Sequence, residues 1–336
     1  MTSVLQSETA SRWAAVTPFY RRVKGIFPLL KWIFLGLIGY AALRLSDTES
    51  LREKIANFPI EGIILFLALG LGSRLLYAVR WLLLNHSLGM GGQGLGYLFR
   101  INLLSEFVSI VLPSYLGGEG VRLLKLRQHG GATREILVSL VIDRIIGVAT
   151  LLLLTAVFAP FLLPYLPAEF TPSSALLPLA MGLLVVAGLI VVWWVRKRGS
   201  LPLPSALRGF QLKPKPILVG VALSALGHFL YASGYYILFR QLSAVDYAPM
   251  LAVTLVALLT ASVPLSVFGV DVSDGSIVVL AGLLAVEPGA ALVVVALVVA
   301  SRYFFSLCGL ALELIADGRQ IFTRSAQPLP ETEPTQ

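Results

Sequence analysis

The sequence predicts an all-α polytopic membrane protein, with about six spanning helices and two re-entrant helical hairpins in an inverted repeat. Three observations carry this. Of 336 residues, 57% are hydrophobic and 13% charged, about half the charged share of a soluble domain. Mean hydropathy is +0.84. The longest apolar runs reach about 20 residues, the length a helix needs to cross hydrocarbon, whereas a barrel would alternate over about ten.

Taken in chain order, residues 1–24 form a polar N-terminal segment. The run 25–45 is too long, and starts too late, for the core of a cleaved signal peptide, so it is expected to be the first span. Further spans are expected over 60–84, 135–163, 174–195, 216–239 and 288–316. Two apolar stretches, 97–112 and 248–263, are short for a full crossing and run into Pro113 and Pro264, with glycines close behind. The membrane domain is expected over 25–320, followed by a Pro-rich, polar and disordered tail over 321–336.

Charge in the connections sets the orientation. Arg12, Arg21, Arg22 and Lys24 precede the first span, and Arg319 and Arg324 follow the last. The 196–215 linker holds six basic residues and no acid. The opposing loops are different: 163–173 carries only Glu169, and 46–54 sets Arg52 and Lys54 against Asp47, Glu49 and Glu53. The positive-inside rule then places both termini in the cytoplasm. On this path the segment 97–134 begins and ends on the cytoplasmic side and 248–287 on the outer side. Each is expected to enter and leave by the same face, its broken backbone packed in protein or lining a wet cavity. The alternative is two pairs of short, tilted spanning helices.

The net charge of +8 is explained by cytoplasmic loops facing anionic lipid, and nucleic acid is not an expected partner. The single cysteine, Cys308, excludes an internal disulfide and a cysteine-based metal site. His86, His129 and His228 lack metal-ligand spacing, and no cofactor or metal is expected. No G-x-x-x-x-G-K-[ST] phosphate loop is present.

The two interrupted stretches align. LPSYLGGEGVRLL (112–124) lies over VPLSVFGVDVSDG (263–275), matching Pro113 with Pro264, Gly118 with Gly269 and Val121 with Val272. Around each, the order is span, hairpin, then a long span containing arginine, giving units of about 60–163 and 216–316. Inverted repeats with helices broken near the midplane are a signature of secondary transporters. Gly117, Gly118 and Gly120 are expected to give the first elbow its conformational freedom, with Pro113, Pro264 and Gly269 as the other hinge positions.

Several charges lie where hydrocarbon should be, at about 2.5–3.5 kcal/mol each on insertion scales. Arg144 follows Glu135 by about nine residues, roughly 14 Å of helix and close to the midplane. Asp143 is its neighbour, and Arg302 is equally central in the last span. Arg74 lies within the second span, Arg100 and Glu106 in the first hairpin, and Asp271 and Asp274 at the second elbow. Adjacent helical residues diverge by about 100°, so Asp143 and Arg144 each need a partner on another element; Glu119 and Arg122 are the candidates. Two readings stay open. The charges hold the bundle in register, or they line a polar chamber whose arginines accept an anionic group through their planar fork. Arg80, flanked by Tyr77 and Trp81, is expected to be an interfacial anchor, and His228 a satisfied helix–helix contact.

LPSYLGGEGVRLLKL followed by ILVSLVIDRIIGVATLLLL resembles the lysylphosphatidylglycerol synthase transmembrane-region family, also called the flippase-like domain family. Pro113, Gly117, Gly118, Glu119, Arg122, Asp143 and Arg144 fit its first motif, and Pro264, Ser266, Gly269, Val272 and Gly275 fit its second. Where the family carries Gly, Arg and Glu in the second motif, this chain has Asp271, Ser273 and Asp274. The resemblance covers about 60–316 and implies the membrane part alone, since nothing after Ile321 has the length of an aminoacyl-transferase domain. It implies a non-enzymatic, flippase-like role in the bacterial inner membrane. The expected partner is a membrane lipid (a phospholipid, glycolipid or hopanoid-like lipid), with lipid-biosynthesis enzymes and a second copy of the chain as further candidates. The translocation residues would be Arg74, Glu119, Arg122, Asp143, Arg144, Asp271, Asp274 and Arg302. Two alternatives remain: a membrane transferase acting on a polyprenyl-phosphate lipid, and a non-transporting scaffold.

Overall fold

The computed structural model describes residues 48–111, 115–166, 214–261, 266–267 and 269–325. The expected spans 25–45 and 174–195, the segment 1–24, and Pro113 and Pro264 lie outside the described residues. A short helix α1 (Thr48–Ala56) leads into α2 (Ile60–Ser87). Helices α3 (Leu95–Val111) and α4 (Tyr115–Gln128) make the first hairpin, and α5 (Thr133–Phe158) runs on as a 3₁₀ turn over Ala159–Tyr165. The second half repeats this order with α6 (Pro214–Phe239), α7 (Tyr247–Thr260), α8 (Val272–Ala281) and α9 (Pro288–Ser325). Helix α9 runs past the boundary expected at 321.

Among the described residues four helical stretches are long and apolar enough to cross a membrane: Ile60–Ser87, Thr133–Tyr165, Lys215–Phe239 and Pro288–Ala316. They coincide with four of the six expected spans. The backbone marks their limits. Pro59 is extended at φ −62° and ψ 122°, and α2 begins directly after it. Helix α4 ends where Gly130 takes φ 85° and the Gly131 N–H returns to the Leu126 carbonyl at 3.1 Å, a glycine stop that turns the chain into α5.

The two hairpins differ in build. Between α7 and α8 lies a minimal antiparallel pair, β1 (Ser266–Val267) and β2 (Val270–Asp271). Gly269, at φ 75°, makes the turn that joins them. The Asp271 carboxylate accepts from the Ser273 N–H at 2.8 Å while Asp274 accepts from the Asp271 N–H at 2.8 Å, a reciprocal cap that starts α8. The first hairpin is instead almost wholly helical. Gly117, Gly118 and Gly120, expected to form an open elbow, lie inside α4, and none has positive φ. Gly118 serves close approach: a Cβ there would meet Ser109 Oγ and lie 2.7 Å from the Ser105 carbonyl oxygen of α3. Around Gly120 a Cβ would meet nothing within 4 Å.

Helices α2 and α6, which open the two halves, pack antiparallel along their length. Phe66 lies against Gly234, Tyr77 against Gly227 and Arg80 against Gly220, so position rises on one helix as it falls on the other. Gly220, Ser224, Gly227 and Gly234 share one face of α6, and such small residues let helix backbones approach closely in lipid. The halves then exchange partners: α3 packs on α9, and α5 on α7. Among the described residues the two larger apolar clusters form lobes at opposite ends of the α2–α6 pair, and a smaller one gathers around Leu151, Leu251 and Leu255. Phe66, Tyr235, Phe239 and Met250 belong to one lobe, and Trp81, Leu84, Ile101 and Ile136 to the other.

Gly118→Ala is expected to destabilise the detergent-solubilised protein by about 1–3 kcal/mol through overpacking. Gly120→Ala should be neutral or stabilising by up to about 1 kcal/mol, since alanine favours helix over glycine. Thermal unfolding of the two variants side by side checks both.

Candidate functional site

Between the lobes, where the tips of the two hairpins meet, lies a cavity of about 260 Å³. Its walls come from both halves of the chain. Arg74 of α2, Glu106 of α3, Glu119 and Arg122 of α4 and Arg144 of α5 line one side. Gly269 and Asp271 of the second hairpin, Arg302 of α9 and Tyr231 of α6 line the other. Six of the eight charged residues singled out in the sequence thus reach one chamber, and Asp143 and Asp274 stand directly behind it as partners of its arginines.

Each arginine has an identifiable carboxylate. The Arg74 Nε donates to both Glu106 oxygens at 3.1 Å and its Nη2 to one of them at 3.0 Å. Phe305 covers that guanidinium at 4.1 Å from the ring centroid. Arg144 donates to Glu119 through Nε at 2.9 Å. Arg302 clasps Asp274 through two bonds of 2.7 and 2.8 Å and donates to the Gly269 carbonyl at 2.8 Å, which fixes the second hairpin onto α9. Such two-pronged, charge-assisted bonds offset much of the penalty for holding charge at membrane depth.

Arg122 is held more loosely. Its Nη1 is 3.8 Å from both Glu119 and Asp143, beyond hydrogen-bond reach. Its guanidinium lies 5.0 Å over Trp81. Two buried atoms here lack a hydrogen-bond partner: Arg122 Nε and Glu119 Oε2. Buried polar groups are nearly always satisfied, and orphans beside a cavity mark where a ligand or water belongs.

One expectation changes. Arg80, read as an interfacial anchor, is instead buried and donates to Asp143 at 2.8 Å and to Ser224 at 2.6 Å. The deciding partners lie elsewhere in the chain, on α5 and α6. Arg100 and Glu106 are both ion-paired across helices. Glu313, which sequence reasoning missed, is buried between Arg100 at 2.7 Å and Lys125 at 2.5 Å, tying α3 and α4 to α9. His228 is a satisfied contact between helices. Its Nε2 lies 3.2 Å from the Gly147 carbonyl, which can only accept, so the proton sits on Nε2 and Nδ1 accepts from the Tyr77 hydroxyl at 3.0 Å. Among the described residues no three His, Cys, Asp or Glu converge as a metal-binding group.

Long apolar helices around a charged cavity define a multi-pass membrane protein. The chain belongs to the lysylphosphatidylglycerol synthase TM region family, whose profile matches residues 29–309. That membership ties it to membrane lipid. No curated protein matches the chain.

Arg80→Ala is expected to cost about 3–5 kcal/mol, because it strands the buried Asp143 carboxylate. Asp143→Asn in that background should recover part of the loss. Arg144→Ala should cost under about 1 kcal/mol, since that side chain is 55% exposed. A double-mutant cycle of unfolding in detergent reads all three.

Proposed function

We propose that the protein translocates a lipid between the leaflets of the bacterial inner membrane, its polar or anionic headgroup crossing through the cavity while its tails stay in the bilayer. The observation that carries this is the convergence of Arg74, Arg122, Arg144 and Arg302, from both halves of the chain, on one cavity between two interrupted segments. A headgroup entering bare hydrocarbon loses its water without replacement, and fixed charged partners lower that barrier. Family membership points to lipid as the class of substrate.

The fold supports an inverted repeat. Helices α2 and α6 hold equivalent places in the two halves and run antiparallel, and the halves trade packing partners reciprocally. In such an arrangement the two hairpins face opposite sides of the membrane and gate one central site in turn. The protein has no need of an enzymatic step in this reading. A gradient, a partner or downhill equilibration supplies the driving force.

Reconstituted into vesicles with acyl-labelled lipids, the protein should accelerate exchange between leaflets. Arg122→Ala and Arg144→Ala should each slow it at least about tenfold, the equivalent of about 1.4 kcal/mol. Wild-type rates in both folded variants would remove the cavity from the path. Orientation is read separately in a Cys308→Ser background. A cysteine at Ser200 should react with an impermeant reagent only from the cytoplasmic side, and one at Ser173 only from the outside.

A further inference from the structure

Two carboxylates flank Arg122 on the cavity wall, and both are turned away from it in the same manner. Asp143 gives Oδ1 to the Nε of Arg80 at 2.8 Å, and its Oδ2 stops 3.8 Å from Arg122 Nη1. Glu119 gives Oε1 to the Nε of Arg144 at 2.9 Å, and its Oε2 stops 3.8 Å from the same Nη1. Each acid commits one oxygen to an outer arginine and holds the other beyond hydrogen-bond reach of the central one. The Arg122 guanidinium rests instead over Trp81, 5.0 Å from the ring centroid. Trp81 is itself fixed, its indole N–H donating to Ser139 Oγ at 3.1 Å. A fork of donors beside a cavity, with no acceptor near enough to close on it, is an open seat for an anion that offers two oxygens.

Of the two outer arginines, Arg144 lines the cavity, whereas Arg80 is buried and does not. Arg80 is fixed on two sides, through Nε to Asp143 on α5 and through Nη1 to Ser224 on α6 at 2.6 Å. We propose that Arg80 is a positioning residue: it holds Asp143 off Arg122, and so keeps Arg122 open to the phosphate of a phospholipid headgroup. This rests on the translocation reading and narrows its substrate to lipids that carry phosphate. Without the Arg80 cation, the buried Asp143 carboxylate has Arg122, 3.8 Å away, as its remaining ion-pair partner among the described residues. A buried charge stripped of its partner is strongly destabilising, and a carboxylate matches the guanidinium fork, so Asp143 closes the gap. A phosphate entering the cavity then has to displace a carboxylate already in place. With Arg80 present, that carboxylate is satisfied on its far side and the seat stays open.

The test reads a ratio of two lipids in the solubilised full chain by native mass spectrometry. One is phosphatidylglycerol, whose only charge is its phosphate; the other is glucosyl diacylglycerol with the same acyl chains, polar but without phosphate. The wild type should prefer the phospholipid at least about tenfold. Arg80→Gln removes the cation and keeps an amide donor, and should lower that preference at least about fivefold. Arg80→Lys, which keeps the charge, should stay within about twofold of the wild type, as should Arg80→Gln with Asp143→Asn, which leaves no carboxylate to close on Arg122. A merely structural role for Arg80 weakens both lipids alike, and an unmoved ratio in Arg80→Gln overturns the proposal. Where Arg80→Gln does not fold, Ser224→Ala takes its place: it removes one of the two bonds that fix Arg80 and should lower the ratio about twofold, and no change overturns the proposal. A wild-type ratio of one overturns the phosphate seat without any variant. Glycerol 3-phosphate, the phosphate without tails, should not displace the bound phospholipid at equal concentration; full displacement overturns the lipid assignment. The two readings fail separately. A ratio that responds to Arg80 as expected, with no exchange in vesicles, sinks translocation and keeps this role, whereas exchange with an unmoved ratio does the reverse.

Discussion

Asp143 is shared by two arginines, and from that sharing a line of alternating charge runs through the middle of the protein. Arg80 binds it at 2.8 Å and Arg122 lies 3.8 Å away. Arg122 lies equally far from Glu119, and Glu119 in turn holds Arg144. The sequence of signs is plus, minus, plus, minus, plus, and it crosses α2, α5 and α4. At its buried end, removal of Arg80 strands the Asp143 carboxylate, whereas Arg144 at the other end is half-exposed and more easily lost. The line is thus both a clamp on the helices and a reservoir of polar groups that can change partner. Its loosest joint, at Arg122, is the one that opens on the cavity.

Arg80 runs beside Gly147 and Gly220 and reaches both Asp143 and Ser224. Helix packing in lipid lacks a hydrophobic driving force between helices, so small residues and polar bonds take over its role. The α2–α6 pair shows both devices on one face, with Tyr77 and His228 adding a hydroxyl–imidazole bond farther along. The rigid pair then leaves the hairpins as the elements with separate attachments. The first is tied to α9 through Glu313, the second through Arg302.

The long helices were legible because hydrocarbon thickness leaves one solution for a run of some 20 apolar residues. The partners of Asp143 and Arg144 were legible because a central charge without a neighbour is untenable, and Glu119 and Arg122 were the charges at hand. Sequence reasoning failed where the deciding contact is distant in the chain. Arg80 beside Trp81 looks like a membrane-interface anchor until Asp143, on another helix, is seen to meet it. The glycines of α4 looked like a hinge because glycine's freedom is a local property, whereas the need of Gly118 is set by the Ser105 carbonyl of α3. Glu313 sits near the end of a long apolar helix and gives no local sign that two cations will enclose it.

The exchange of packing partners between halves also sets an order of events during synthesis. Helix α3 emerges early, but the carboxylate that answers Arg100 and Lys125 belongs to Glu313, roughly two hundred residues further along the chain. At about 5–20 residues per second that interval lasts some tens of seconds. Through it Arg100 and Lys125 lack the carboxylate of Glu313, and α3 lacks the helix it packs on. A chain cut short before Glu313 would hold most of its hydrophobic mass and still lack the residue that lets its first half settle.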